Sequence, residues 1–275
     1  MKSQSRPFRL YPVYCGLFAL LLLCSCEKFE YSPYQTTNGT RPANLNATNL
    51  NKLLATEANG NDTLTILFTG DSQRSYRSLH ALVAKANSIA GIDLLILAGD
   101  ISDFALLQDF LWIHERLEKL KIPYLCVIGN HDLTARGAQI YEEMFGPKDF
   151  SFSYKGYKFL FHDTNGREYD FNGHVPDVNW LSGQLNDTTP QWFIGVSHVP
   201  PYDMDFDRNL EIPYKNLFAS EPRFLLSLNG HIHTGGDSFY YHDHVRYLTS
   251  YSVDHDQFVL LKLINGSINK KLIAY

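Results

Sequence analysis

Cysteine is nearly absent from this chain. Of 275 residues only four are cysteine, and Cys126 alone lies beyond residue 26, so no disulfide is expected and stability must come from a buried core. A membrane-spanning run is missing too. The most apolar stretch, Val13 to Leu23, holds about ten residues where a spanning helix needs about twenty. Nor does charge of one sign dominate. Lys and Arg number 24 against 29 Asp and Glu, a formal net charge of -5, with interspersed signs and no basic patch; no nucleic-acid polymer is expected as a partner. There is no internal repeat.

The first residues carry an address. Lys2, Arg6 and Arg9 precede the apolar run, which ends Leu23-Cys24-Ser25-Cys26. An aliphatic residue three places before a cysteine and a small one directly before it resemble a bacterial lipobox. Cys26 fits as the lipidated mature N-terminus, whereas Cys24 follows Leu23 and does not. Residues 1–25 therefore read as a lipoprotein signal peptide, to be left out of fold reasoning. An uncleaved N-terminal anchor is the alternative. In both cases the chain is expected to be exported and membrane-tethered; with the lipobox, the anchor sits in a bacterial cell envelope, at the outer membrane. Residues 26–61 turn to Asn, Thr, Ala, Pro and Tyr without sustained periodicity, the texture of a tether. A short helix is expected over Ala47–Glu57, and Phe29, Tyr31 and Tyr34 are apolar enough to dock. Residues 62–275 suffice for one domain.

Within that domain, five apolar β-type runs break off into polar residues. Tyr124–Ile128 runs into Gly129-Asn130-His131-Asp132, Leu64–Phe68 into Gly70-Asp71-Ser72-Gln73, and Leu94–Leu97 into Gly99-Asp100. Trp192–Val196 likewise runs into Ser197-His198, and Phe224–Leu228 into Gly230-His231-Ile232-His233. One such end alone could be a turn capping a strand. Five ends presenting Asp, Asp, Asn-His, His and His-x-His are the ingredients of a metal site. Between the first runs, Tyr76–Ala90 places Leu79, Leu82, Val83 and Ala86 on one helical face, and Phe104–Leu120 does the same with Leu107, Phe110, Leu111, His114 and Leu117. This βαβαβ order implies a parallel sheet with functional loops at the strands' carboxyl ends. From Phe150 the texture becomes hairpin-rich, with strands predicted at Phe152–Tyr154, Tyr157–Phe161, Phe239–Tyr241, Val245–Ser252 and Phe258–Leu263. The expected fold is α/β: a four-layer α/β/β/α sandwich of two mixed β-sheets flanked by helices.

The blocks Asp71-x-Gln73, Gly99-Asp100, Gly129-Asn130-His131-Asp132, His198 and Gly230-His231-x-His233, in this order and at these strand ends, resemble the calcineurin-like metallophosphoesterases. The resemblance runs from about Leu64 to Leu263. It implies hydrolysis of a small-molecule phosphoester with two divalent metal ions and a metal-bridging hydroxide attacking phosphorus in line. Carried over residue by residue, Asp100 resembles the bridging carboxylate. Asp71, His233 and Gln73 resemble the holders of one metal, and Asn130, His198 and His231 those of the other. His131 resembles the family's non-ligand histidine, which stabilises the transition state or protonates the leaving alkoxide. Asp132 would be its hydrogen-bond partner or the orienter of a ligand. One position departs from the pattern: the first block most often reads Asp-x-His, and a glutamine offers only a neutral carbonyl oxygen. That tilts the metals toward Mn²⁺ or Mg²⁺, with Fe and Zn²⁺ still open. Asp-x-Gln also resembles the branch that includes manganese-dependent ADP-ribose and CDP-alcohol diphosphatases, which implies a phosphodiester or nucleotide-diphosphate-type substrate. The alternatives are a phosphomonoesterase or cyclic-nucleotide phosphodiesterase and, from another class, a non-catalytic metal- or ligand-binding surface lipoprotein. The retained His131 argues against the last.

Several residues have two readings. Asn165 and Tyr202 follow strand ends and are candidates for substrate contact, Tyr202 by stacking on a base. Asp103 either caps the following helix or bonds a ligand side chain. His114 and His162 read as structural, and His242-Asp243-His244 as a solvated turn.

Overall fold

A computed structural model describes residues 41–56 and 62–275, with Ser32, Gln35, Thr36 and Gly39 besides. The signal peptide, Cys26, and the docking of Phe29, Tyr31 and Tyr34 lie outside the described residues. Among the described residues no helix is long and apolar enough to cross a membrane.

In chain order the elements are α1 (Leu45–Leu54), β1 (Leu64–Thr69), α2 (Tyr76–Asn87), β2 (Leu94–Ala98), α3 (Leu107–Leu117), β3 (Tyr124–Val127), α4 (Gly137–Phe145), β4 (Phe150–Tyr154) and β5 (Tyr157–Phe161). There follow α5 (Val178–Leu185), β6 (Trp192–Val196), α6 (Arg208–Ser220), β7 (Phe224–Asn229), β8 (Thr234–Ser238), β9 (Arg246–Tyr251), β10 (Gln257–Ile264) and β11 (Ser267–Ala274). One sheet has the order β11-β10-β1-β2-β3 and the other β4-β5-β6-β7-β9-β8. The first is parallel through β1, β2 and β3, with β10 antiparallel to β1. The second is parallel from β5 through β6 and β7 to β9, with β4 and β8 antiparallel at its edges.

Strands β1, β2, β3, β5 and β6 are apolar almost throughout because both their faces are covered. Successive side chains alternate faces. Ile66, Phe68, Ile96 and Val127 thus meet Phe159, Phe161, Ile194 and Leu228 between the sheets. Leu67, Leu95, Leu97 and Cys126 pack outward with residues of α2, α3 and α4. On the far side Leu160 and Phe193 pack with Leu181, Tyr214 and Phe218 of α5 and α6. This is the expected four-layer arrangement, with Cys126 a free, buried thiol.

Several boundaries differ from expectation. The short helix comes earlier, and it is docked rather than loose: the Asn46 amide donates to Cys126 O and accepts from Cys126 N, both at 2.9 Å. One side chain thereby closes the free edge of β3 as a strand would. Helix α3 starts at Leu107 instead of Phe104, because Ala105 is left-handed (φ 54°) and Leu106 is the N-cap. Asp103 is therefore no helix cap. The strand predicted at Phe239–Tyr241 is a turn, and the strand lies instead at Thr234–Ser238. The aromatics of that segment serve packing: Tyr240 stacks on Tyr202 with ring centroids 4.0 Å apart, and Tyr241 meets Tyr247 edge-on. Helices α4, α5 and α6 and strand β11 had no counterpart in the sequence reading. Pro213 interrupts the helical signal inside α6, and β11 is largely exposed and polar.

Both structural histidines have partners. His114 Nδ1 is 2.8 Å from the Tyr124 hydroxyl. His162 is buried, donates from Nδ1 to Leu160 O and lies 2.8 Å from the Tyr214 hydroxyl. Burial pushes the His162 pKa down to about 4, below its value in the unfolded chain. The unfolded state therefore binds the extra proton first, and stability falls as pH drops from about 6.5 toward 4, by roughly 3 kcal/mol in all. Urea titrations across this range should show that loss in the native chain and a flatter profile in His162→Gln; equal profiles would contradict the assignment.

Candidate metal centre

All five polar strand ends arrive at one place. Strands β1, β2 and β3 of one sheet and β6 and β7 of the other end side by side, as the parallel order requires. At the turns the backbone is bent into the left-handed region: φ is 53° at Asp71, 52° at Asp100, 70° at His231 and 64° at His233. Asp and His tolerate this region better than most residues, yet four such positions in one cluster need support from their surroundings.

The side chains form two half-sites. In one, His198 Nε2 lies 3.0 Å from Asn130 Oδ1, 3.3 Å from Asp100 Oδ1 and 3.3 Å from His231 Nδ1. His231 Nδ1 is itself 3.1 Å from Asn130 Oδ1. In the other, His233 Nε2 is 3.2 Å from Asp71 Oδ1. Asp71, Asp100 and His198 offer ligand atoms that all lie within 4.8 Å of one another, so Asp100 stands where the halves meet. His231 and His233, two residues apart, face different halves because of the left-handed turns between them.

Polar atoms left without partners test whether cations fit. Asp71 Oδ2 and Gln73 Oε1 are buried and accept no hydrogen bond. Buried acceptors are rarely left so, and a carboxylate beside an imidazole, as Asp71 is beside His233, suits a divalent cation. The residues therefore fit a pair of such ions. Electrostatics agree. Burial disfavours charge on His198, but Asp100 and then Asp71 push its pKa up to about 10. Burial opposes the charged Asp100 as well, yet His198 and His131 hold its pKa below the usual range. A cation held here would compete with the proton on His198.

The neighbours are placed as follows. His131 donates its backbone N–H to Asp100 Oδ1 at 3.0 Å, and its ring Nδ1 lies 3.0 Å from Asp103 O. Asp132 does not meet that ring. Its buried carboxylate accepts from Ile101 N, Ser102 N, Ser102 Oγ and Gly129 N. It clamps the turn after β2 to the turn after β3, which corrects its reading as a catalytic partner of His131 and leaves it a positioning residue. Burial, followed by Asp100, raises its pKa to about 6. Asn165 needs correction too: fully buried, its Nδ2 donates to Ile128 O and Asp163 Oδ1, so it braces the end of β3. Tyr202 already carries Tyr240 on one face. In the turn of His242-Asp243-His244, Asp243 accepts from Val245 N and His244 Nε2 lies 3.1 Å from Glu221 O.

Asp203 and Asp205 escaped the sequence reading. Their carboxylates lie 3.5 and 3.4 Å from His231 Nε2, on the side of the ring away from Asn130, and hold the imidazole as carboxylates orient a metal-binding histidine. The Asp-x-Asp spacing beginning five residues after His198 was the available signal.

Fold and site together define a metal-dependent phosphoesterase. The calcineurin-like phosphoesterase family model matches residues 64–235, and the chain belongs to that family. A dinuclear divalent metal site is typical of it. Among curated proteins no sequence matches this chain. Solved structures share the fold at low identity. A dimetal phosphatase from Danio rerio is 14% identical with TM-score 0.58, over 77% of this chain and 99% of its own. The anchor protein of the Plasmodium inner membrane complex is 16% identical with TM-score 0.59, over 77% and 84%. A purple acid phosphatase from yellow lupin (Lupinus luteus) seeds is 12% identical with TM-score 0.59, over 77% and 51%.

Close approach at Gly230 makes the geometry testable. A Cβ there would stand 2.3 Å from Ala98 O, 2.9 Å from His198 Nδ1 and 3.2 Å from Asp71 Oδ2. Gly230→Ala should break the 2.7 Å bond from His198 Nδ1 to Ala98 O and weaken Mn²⁺ binding at least about tenfold by calorimetry. Undiminished affinity would contradict this packing.

Proposed function

We propose that the chain is an exported, lipid-anchored phosphoesterase that works with two divalent cations on a phosphodiester or nucleotide-diphosphate-type small molecule. The observation that carries this reading is the pair of half-sites meeting at Asp100, with His131 beside them at 38% side-chain exposure. When bound, the cations would neutralise the phosphoryl group and lower the pKa of the attacking water. Asp71, Gln73 and His233 would hold one, Asn130, His198 and His231 the other, and Asp100 both. The orphaned Asp71 Oδ2 and Gln73 Oε1 make the first position rich in oxygen, which favours Mn²⁺ there.

His131 completes the reaction. Its Nδ1 is engaged by Asp103 O, which leaves Nε2 to give a proton to the oxygen that leaves phosphorus. Asp132 keeps the turns after β2 and β3 in register so that Asp100 and Asn130 both stay against His198. Metal-stripped protein should hydrolyse bis-p-nitrophenyl phosphate only after Mn²⁺ is restored, and His131→Ala should lower kcat at least about a hundredfold while retaining metal. Turnover without metal, or full turnover in His131→Ala, would overturn the reading.

The anchor is read from the segment ending at Cys26. In fractionated cells Cys26→Ala should move the protein from membrane to soluble fractions. An unchanged distribution would remove the lipid from the account.

A further inference from the structure

The wall beside His131 carries an arginine and an exposed aromatic ring. Arg74 directly follows Gln73, and its backbone is left-handed at φ 58°. Its Nη2 lies 2.7 Å from Asp103 Oδ1, and Asp103 is buried while the Arg74 side chain is 68% exposed. His131 Nδ1 is 3.7 Å from the same Asp103 oxygen. Guanidinium, carboxylate and imidazole thus form a row whose last member is the group assigned to the leaving oxygen. The Arg74 guanidinium carbon also lies 5.7 Å from the centroid of the Phe104 ring, which is 62% exposed.

Each part of this row has unused capacity. A guanidinium offers five N–H donors in a fork that matches phosphate, and Asp103 engages one end of it. The Phe104 ring gives one face to the cation and has surface left on which a flat ring can stack. The left-handed backbone at Arg74 costs free energy, and strained positions of this kind gather where ligands bind. What suits the pair is an anion joined to a flat ring, expelled on the side where His131 stands.

We propose that Arg74 and Phe104 form the subsite for the leaving group, selecting substrates whose expelled group is itself a phosphate bearing a planar base. The substrate is then a diphosphate ester of a nucleoside. This rests on the phosphoesterase reading above and deepens it. In the step, water oxygen adds to the attacked phosphorus and the bond from that phosphorus to the bridging oxygen breaks. The bridging oxygen leaves on the second phosphate and takes the proton from His131, while water's proton goes to solvent. Arg74 offsets the charge on the departing phosphate and Phe104 holds its base.

The test uses the Mn²⁺-loaded full chain with ADP-ribose, which expels a nucleoside phosphate, and bis-p-nitrophenyl phosphate, which expels a phenolate without phosphate. In Arg74→Ala the ratio of kcat/KM for ADP-ribose to that for bis-p-nitrophenyl phosphate should fall at least about tenfold, chiefly through KM, and Arg74→Lys should restore part of it. Phe104→Ala should lower the same ratio. If Arg74 only braced Asp103 and His131, kcat would fall on both substrates alike and the ratio would hold, which overturns the proposal. Native protein that hydrolyses bis-p-nitrophenyl phosphate but not ADP-ribose would overturn the subsite and leave the phosphoesterase reading standing. Failure on both substrates with metal bound would overturn both.

Discussion

Asp100 and His198 approach to 3.3 Å although they belong to opposite sheets, and the rest of the centre depends on that contact. The imidazole's other nitrogen donates to Ala98 O at 2.7 Å, so one side chain ties the ends of β2 and β6 together twice. Burying an ion pair gains little over apolar packing of the same volume, and stranding either partner is strongly unfavourable. A pair of this kind in the heart of a sandwich makes sense as a socket. It holds carboxylate and imidazole facing one another, so that little reorganisation would be needed to hold a cation between them.

Backbone geometry prepares the other positions in the same spirit. Left-handed turns at Asp71, Asp100, His231 and His233 each cost on the order of 1 kcal/mol or more, and the packed strands that precede them hold them in place. Asp132 adds four hydrogen bonds beneath the turns. Asp203 and Asp205 steady His231 from the far side. The strands provide rigidity, the turns provide direction, and few of the side chains at the centre are free to swing.

Much of this could be read from the sequence, for identifiable reasons. Fully buried strands give continuous apolar runs, and their abrupt ends at Asp71, Asp100, Asn130, His198 and His231 fall on the centre. The α2 and α3 faces were legible because period and burial agree. What stayed hidden depended on contacts between distant segments. Asn46 reads as a polar residue in a tether, and only the open edge of β3 gives it a role. Asp132 sits beside His131 in sequence, but its side chain turns to Ile101 and Ser102. Asn165 read as a strand-end substrate contact, and its side chain instead braces Ile128. Asp203 and Asp205 had a visible spacing that acquires meaning only once His231, about thirty residues on, is placed against them.

The central claim is that two cations sit side by side at Asp100. It is tested most directly by anomalous X-ray scattering from crystals grown with Mn²⁺. Two peaks about 3.5 to 4 Å apart, one between Asp71, Gln73 and His233 and one between Asn130, His198 and His231, with Asp100 between them, are the predicted result. A single peak, or none with these side chains ordered as described, would contradict the account.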